Sequence, residues 1–115
     1  MGGTAQPVEV AREVKRIEFR VVALDDIDSV ADFYALVDQG IAERWINAVQ
    51  TVAGEVSRRP TFGSTTHAEQ LGIDGLRHRQ VPRFPYMLFY IERDDSIAIV
   101  RVLHERRDVL AEFEE

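Results

Sequence analysis

Two apolar runs separated by a short charged turn constrain the fold of this 115-residue chain more than any other feature. The first run extends from Tyr86 to Ile91 and the second from Ile97 to Leu103, with the sequence ERDDS between them. Apolar runs of this length on either side of a polar turn predict a β-hairpin. Both faces of each arm are largely apolar, so we expect two central strands with other elements packed on both sides.

Helical periodicity marks the stretch ahead of the hairpin. From Leu24 onward, apolar residues recur at three- and four-residue spacing as far as Val37, and we expect Gly40 to end this first helix. A second stripe predicts another helix from Ile41 to Ser57, which Pro60 prevents from continuing. A connection this short makes the two helices an antiparallel αα-hairpin. The second stripe consists of Ala42, Trp45, Val49, Val52 and Val56.

Three shorter stretches complete the predicted fold. Partial alternation from Arg16 predicts an N-terminal strand, the sequence from Leu76 to Val81 predicts another strand, and the residues after His104 form a short amphipathic tail. The predicted fold class is therefore α+β, with an N-terminal strand, an αα-hairpin and then a C-terminal antiparallel sheet of about three strands. We expect residues 1–15 to form a flexible arm and residues 16–115 to form a single domain.

Composition excludes several classes of function. The chain has no Cys, which rules out disulfides and thiolate chemistry and favours a cytoplasmic location. No apolar run approaches the length of a membrane span, so no membrane association is expected. The net charge of −6 argues against direct nucleic-acid binding. No His or carboxylate residues have metal-ligand spacing, so neither a metal site nor a cofactor is expected.

The basic residues are unevenly distributed and consist almost entirely of arginine. Residues 1–57 carry ten acidic against five basic residues, whereas residues 58–83 carry five arginines against two acids. On the strand predicted from Leu76, two arginines would project side by side, and guanidinium groups at a strand edge suit an acidic partner. The candidate partner-binding residues are Arg77, Arg79 and Arg83, together with Arg106 and Arg107 at the far end of the hairpin.

The residues at the two ends of the hairpin resemble those of a known protein family. The sequence RFPY at residues 83–86 and the sequence RVLH at residues 101–104, followed by Arg107-Asp108, resemble the toxins of the ParE/RelE superfamily. The likeness is closer to the ParE branch. The helical half is similar as well, because the helix that contains Trp45 is followed by Arg59-Pro60 and then Gly63. The resemblance covers about residues 16–113.

The resemblance implies the toxin component of a bacterial type II toxin–antitoxin system. It also implies a cognate antitoxin, a disordered segment of which folds over the helices and the sheet of the toxin, and it leaves open a toxin dimer within that complex. For the ParE branch the implied activity is inhibition of DNA gyrase by protein contact, which leads to growth arrest. For the RelE branch the implied activity is cleavage of messenger RNA on the ribosome.

A ribonuclease without a metal needs basic side chains and a Tyr or His to deprotonate the 2′-hydroxyl and stabilise the phosphorane. The candidates here are Arg77, Arg79, Arg101 and His104. The tail lacks the Tyr of ribonuclease relatives, and Met87 stands where active relatives carry Arg. We therefore expect a gyrase inhibitor rather than an enzyme, with a ribosome-dependent ribonuclease and an inactive or repurposed binding module as alternatives. A structural ion pair remains an equal interpretation of Arg101, and a structural role is the favoured interpretation of His104.

Overall fold

The computed structural model describes residues 14–113, which form the predicted α+β fold. The strands are β1 (Arg16–Phe19), β2 (Leu76–Gln80), β3 (Tyr86–Glu92) and β4 (Ser96–His104), and the helices are α1 (Val21–Val37), α2 (Gln39–Arg58), α3 (Thr66–Leu71) and α4 (Val109–Phe113). A 3-10 turn at Pro60–Phe62 follows α2. The predicted arm at residues 1–15 lies outside the described residues except for Val14 and Lys15.

The predicted β-hairpin is confirmed and forms the centre of the sheet. β3 and β4 pair antiparallel along their length, and the strand order is β1–β4–β3–β2. The register shifts between two neighbouring pairs, because Phe89 lies opposite Arg101 whereas Tyr90 lies opposite Ile99. Val100 is therefore the extra residue of a β-bulge. Arg101 follows the bulged residue directly.

The predicted C-terminal antiparallel sheet of three strands is confirmed in β2, β3 and β4. The N-terminal strand adds a fourth member, which makes the whole sheet mixed. β1 joins the edge of β4 in parallel, with Ile17 opposite Ile97. Parallel neighbours need a long crossover connection, and the segment between β1 and β4 contains all the intervening helices and strands. β1 pairs only with the first part of β4, from Ser96 to Ile99. The second part of β4 therefore lies next to α1 instead of next to another strand.

The αα-hairpin is confirmed, with longer helices than predicted. α1 begins at Val21, three residues before the predicted start, and ends before Asp38, which adopts an extended conformation. The Asp38 carboxylate accepts a hydrogen bond from the Gly40 N–H (2.7 Å) and so caps α2, which explains why α2 starts ahead of the predicted Ile41. No helix within residues 14–113 is long and apolar enough to cross a membrane.

The main core lies between the αα-hairpin and one face of the sheet. Trp45 is fully buried at its centre, where its indole N–H donates to the carbonyl of Ile27 on α1 (3.1 Å). The aromatic rings of Tyr86 and Phe84 pack against it, with ring centroids 4.9 and 5.3 Å away. The predicted stripe of α2 is buried at every position, because Ala42, Trp45, Val49, Val52 and Val56 all face this core.

A second apolar cluster covers the opposite face of the sheet. α3 and α4 pack there over Phe89, Val100 and Leu103. The short helix α3 was not predicted, because the stretch around it is rich in Gly, Ser and Thr and looks like a loop. With both faces covered, β3 and β4 are the buried central strands that their apolar runs predicted.

Candidate protein-interaction surfaces

Arg77 and Arg79 project side by side from β2 toward the side of α2, as the alternation of the strand predicted. Both guanidinium groups form contacts within the fold. Arg79 forms an ion pair with Glu55 of α2 (2.6 Å), and both side chains are partly exposed. Arg77 donates hydrogen bonds to the carbonyl oxygens of Thr61 (3.1 Å) and Gly63 (2.9 Å). Arg77 therefore orients the backbone after α2, whereas Arg79 keeps its charge near the surface.

The fully buried Tyr90 on β3 forms hydrogen bonds to the same backbone segment through its hydroxyl. Its hydroxyl donates to the Pro60 carbonyl (2.6 Å) and accepts from the Gly63 N–H (3.1 Å). Burial raises the pKa of Tyr90, so the hydroxyl stays protonated and able to donate. A Cβ at Gly63 would lie only 2.9 Å from Cζ of Tyr90 and 3.0 Å from Cβ of Arg77, so this approach requires glycine.

These contacts shape a cleft between the end of α2 and β2, which we call the cationic cleft. It has a volume of about 490 Å³ and is lined by Glu55, Arg58, Arg59, Phe62 and Arg79. The Arg59 guanidinium lies over the Phe62 ring at 5.2 Å from its centroid, in a cation–π contact. Phe62 itself is 65% exposed, which is unusual for a side chain on a turn held so firmly.

The basic zone is visible in the sequence, but this cleft is not. By charge alone, Arg58 and Arg59 group with the strand arginines, and no sequence pattern predicts a role for Phe62. The available signal was that Phe62 follows Arg58-Arg59-Pro60 after one intervening residue. The pairing of α2 with β2 depends on the tertiary fold, so no local pattern could have shown it.

Arg83 does not join the other two strand arginines. It is exposed and adopts a left-handed conformation (φ 71°) in the loop between β2 and β3, which is strained for a residue with a side chain. It lines a separate groove of about 610 Å³ with Arg44 and Phe84 against the outer side of α2. The three best partner-binding candidates are thus divided between two surfaces.

Arg101 is held by an ion pair with a helical acid, one of the two roles considered for it. Its guanidinium makes two hydrogen bonds to the carboxylate of Asp26 on α1 (2.8 and 3.0 Å). The same carboxylate accepts a hydrogen bond from the Val102 N–H (2.9 Å). It thereby supplies a partner for a backbone group in the part of β4 that does not pair with β1. Its hydrogen bonds with Asp26 raise the pKa of Arg101. Glu112 of α4 also accepts from Arg101.

The end of β4 carries the remaining candidates. His104 packs against the edge of Tyr86, with ring centroids 5.1 Å apart, and its Nδ1 accepts a hydrogen bond from the Arg106 N–H (3.0 Å). That bond assigns the ring proton to Nε2 when the imidazole is neutral. Arg107 forms an ion pair with Glu112 and, like Arg106, is exposed. A groove of about 400 Å³ between α1 and β4 is lined by Asp26, Phe33, Tyr86, Arg101, His104 and Arg107, among others.

The four ribonuclease candidates do not converge on one site. Arg79 pairs with Leu88 on the face of the sheet that packs on the helices. Arg101 lies two strands away on β4, where it lines the groove between α1 and β4 together with His104. The four candidates therefore form two separate pairs, with Arg77 and Arg79 beside α2 and Arg101 and His104 beside α1.

The other histidines lie on the second apolar cluster. The rings of His67 and His78 are 5.3 Å apart and both pack on Phe89. The pKa of His78 is lowered by burial and by the nearby His67, and its Nδ1 is buried without a hydrogen-bond partner. Within residues 14–113, no three His, Cys, Asp or Glu side chains are grouped so as to hold a metal ion.

One further surface is apolar. Along α1, four large apolar side chains point to solvent on one side of the helix and flank the groove against β4; we call them the α1 apolar stripe. Leu36 is 88% exposed and Phe33 is 58% exposed, which is costly for a free surface. The stripe consists of Val22, Phe33, Leu36 and Val37.

An αα-hairpin packed on one face of a four-stranded mixed sheet also occurs in a protein of known structure. The fold is similar to that of a solved chain described as "Chromosomal ParDE TA system from P. aeruginosa", with a TM-score of 0.51, 18% identity, and coverage of 80% of this chain and 97% of that one. At this identity the likeness shows the fold alone. A comparison with curated protein sequences finds no match.

The family is shown by the sequence itself. Residues 17–109 match the family described as "ParE toxin of type II toxin-antitoxin system, parDE". The chain therefore belongs to the ParE toxin family, and the resemblance drawn from RFPY and RVLH is confirmed.

Proposed function

We propose that this ParE family toxin inhibits DNA gyrase by protein contact and is neutralised by a cognate antitoxin. The observation that carries the proposal is the family match over residues 17–109. The scatter of the ribonuclease candidates supports it, because a chemical step on RNA needs those groups within reach of one phosphate. A toxin that acts by contact needs only surfaces, and the proposal places it in the cytoplasm, where gyrase works.

The α1 apolar stripe and the groove beside it supply a surface for the antitoxin. Exposed apolar side chains next to a partly uncovered strand suit a disordered segment that folds on binding, because such a segment buries apolar side chains and adds backbone hydrogen bonds together. Covering Phe33 and Leu36 would remove the largest exposed apolar side chains of α1 from water. A toxin dimer within the antitoxin complex stays a prediction.

Plasmid supercoiling by purified gyrase tests this function. The purified toxin is expected to block supercoiling, and preincubation with the protein encoded by the neighbouring reading frame is expected to restore it. Phe33→Ser together with Leu36→Ser should weaken binding of that antitoxin while leaving gyrase inhibition unchanged. Unimpaired supercoiling at a large excess of folded toxin would reject gyrase as the target.

Growth after induction without antitoxin separates the remaining alternatives. The proposal predicts growth arrest that the antitoxin reverses. Normal growth with abundant folded protein would instead favour an inactive or repurposed binding module.

A further inference from the structure

The cationic cleft concentrates positive charge on a protein that is acidic as a whole. Arg58, Arg59 and Arg79 line it, and Glu55 is the single acid among the lining residues. The whole chain carries a net charge of −6. A local excess of arginine against this background attracts an anionic group to one place on the surface.

The turn that forms the aromatic side of the cleft is ordered before any partner binds. Its backbone is held by the Tyr90 hydroxyl at Pro60 and Gly63 and by the Arg77 guanidinium at Thr61 and Gly63. A partner that covers Phe62 therefore needs to order only its side chain and not the turn that carries it. Exposed aromatic rings beside arginines are typical of the residues that dominate protein interfaces.

From these features we propose that the cationic cleft binds an acidic protein segment, which sets carboxylates against Arg58 and Arg59 and an apolar side chain against Phe62. The proposal rests on the toxin acting by protein contact, and it assigns that contact to a surface separate from the α1 apolar stripe. Target and antitoxin would then use different faces of the toxin.

The acid within the cleft indicates a protein partner rather than a nucleic acid. Glu55 already neutralises Arg79 at 2.6 Å, which leaves two lining guanidinium groups for a ligand. Two cations can hold a pair of carboxylates through bidentate contacts, whereas tight binding of a phosphate backbone needs a longer row of them. Glu55 also holds Arg79 as a partner carboxylate would, so it competes with the partner for that side chain.

Fluorescence polarisation with labelled synthetic probes tests the cleft directly. The probes are a peptide with one central phenylalanine flanked by glutamates, the same peptide with glutamine in place of each glutamate, and a single-stranded oligothymidine. The glutamate peptide should bind, and the glutamine peptide should bind at least about tenfold more weakly because its charge-assisted contacts are lost. Tighter binding of the oligothymidine than of the glutamate peptide would overturn the proposal in favour of a nucleic-acid site.

Three variants and a matched control locate the binding. Arg59→Ala and Phe62→Ala should each weaken binding of the glutamate peptide about tenfold without changing the thermal midpoint, because both side chains are exposed. Glu55→Gln should strengthen it about threefold by freeing Arg79. Arg20→Ala is the control and should have no effect, because this exposed arginine follows β1, at the edge of the sheet opposite to β2. Equal affinities for the Arg59 and Arg20 variants, or weaker binding by Glu55→Gln, would contradict the proposal and leave the cleft an ordinary solvated surface.

The gyrase assay then separates this inference from the proposed function. If both hold, Arg59→Ala and Phe62→Ala lower gyrase inhibition about tenfold and leave antitoxin binding intact. If the wild-type toxin inhibits gyrase and these variants inhibit it equally well, the function stands and the cleft proposal fails. If peptide binding depends on the cleft but gyrase is unaffected by any form of the toxin, the cleft stands and the target is a different acidic protein.

Discussion

Replacing Tyr90 by phenylalanine removes one oxygen atom and should loosen the turn that shapes the cationic cleft. The buried hydroxyl serves two backbone groups, at 2.6 Å from the Pro60 carbonyl and 3.1 Å from the Gly63 nitrogen. Each hydrogen bond contributes about 1 kcal/mol, so Tyr90→Phe should lower the free energy of unfolding by about 2 kcal/mol. For a domain of this size, that loss corresponds to a fall of about 8 °C in the thermal midpoint.

Guanidinium unfolding measures the loss, and hydrogen exchange locates it. The amides of Phe62, Gly63 and Ser64 should exchange faster in the variant, while the amides of the central strands change only with global stability. Tyr34→Phe is the matched control. Burial is the only cause that raises the pKa of the Tyr34 hydroxyl, whereas the Tyr90 hydroxyl also bonds to two backbone groups. A Tyr90→Phe variant as stable as Tyr34→Phe, with unchanged exchange at Gly63, would refute the role given to the hydroxyl.

Three further predictions concern stability. Asp26→Ala should cost about 3 kcal/mol in guanidinium unfolding, because it leaves Arg101 without its main partner in a site where both side chains are largely buried; a loss below about 1 kcal/mol would contradict this. Gly63→Ala should cost about 2 kcal/mol through contact of the new methyl group with Tyr90 and with Cβ of Arg77, since the backbone at φ −75° accepts alanine. Wild-type stability would show that these neighbours move apart freely. Burial and His67 depress the folded-state pKa of His78 below 6.5, so the unfolded state binds more protons and stability should fall as the pH drops below about 6.5. His78→Gln should flatten this dependence, and an unchanged pH profile in that variant would contradict the prediction.

The elements of this fold follow from local patterns that the sequence displays openly. The hairpin is encoded by two apolar runs that tolerate burial on both faces, and α2 is encoded by a stripe that is buried at every position. The pairing of β1 was not predictable in the same way. Alternation marks Arg16–Phe19 as a strand but contains no information about its neighbour, and its parallel partner lies about eighty residues away along the chain.

The candidate surfaces are formed by segments that lie far apart in the sequence. Local sequence patterns do not show which segments meet, so the site could be predicted only in part. Arg77 and Arg79 were correctly expected to project side by side, but their partners come from α2 and the turn after it. Phe62 looks in sequence like any apolar residue, and only the fold shows that it remains exposed. Arg83 was grouped with the strand arginines by proximity in sequence, although the turned loop places it in another groove.

Covalent gyrase–DNA complexes, trapped from cells shortly after induction of the toxin without antitoxin, give the most direct test of the central claim. A protein that poisons gyrase by contact should raise the amount of gyrase linked to broken DNA, and co-expressed antitoxin should return it to the uninduced level. Arg20→Ala should behave as wild type. Growth arrest with intact DNA and with transcripts cut on the ribosome would contradict the account and identify the protein as a ribonuclease.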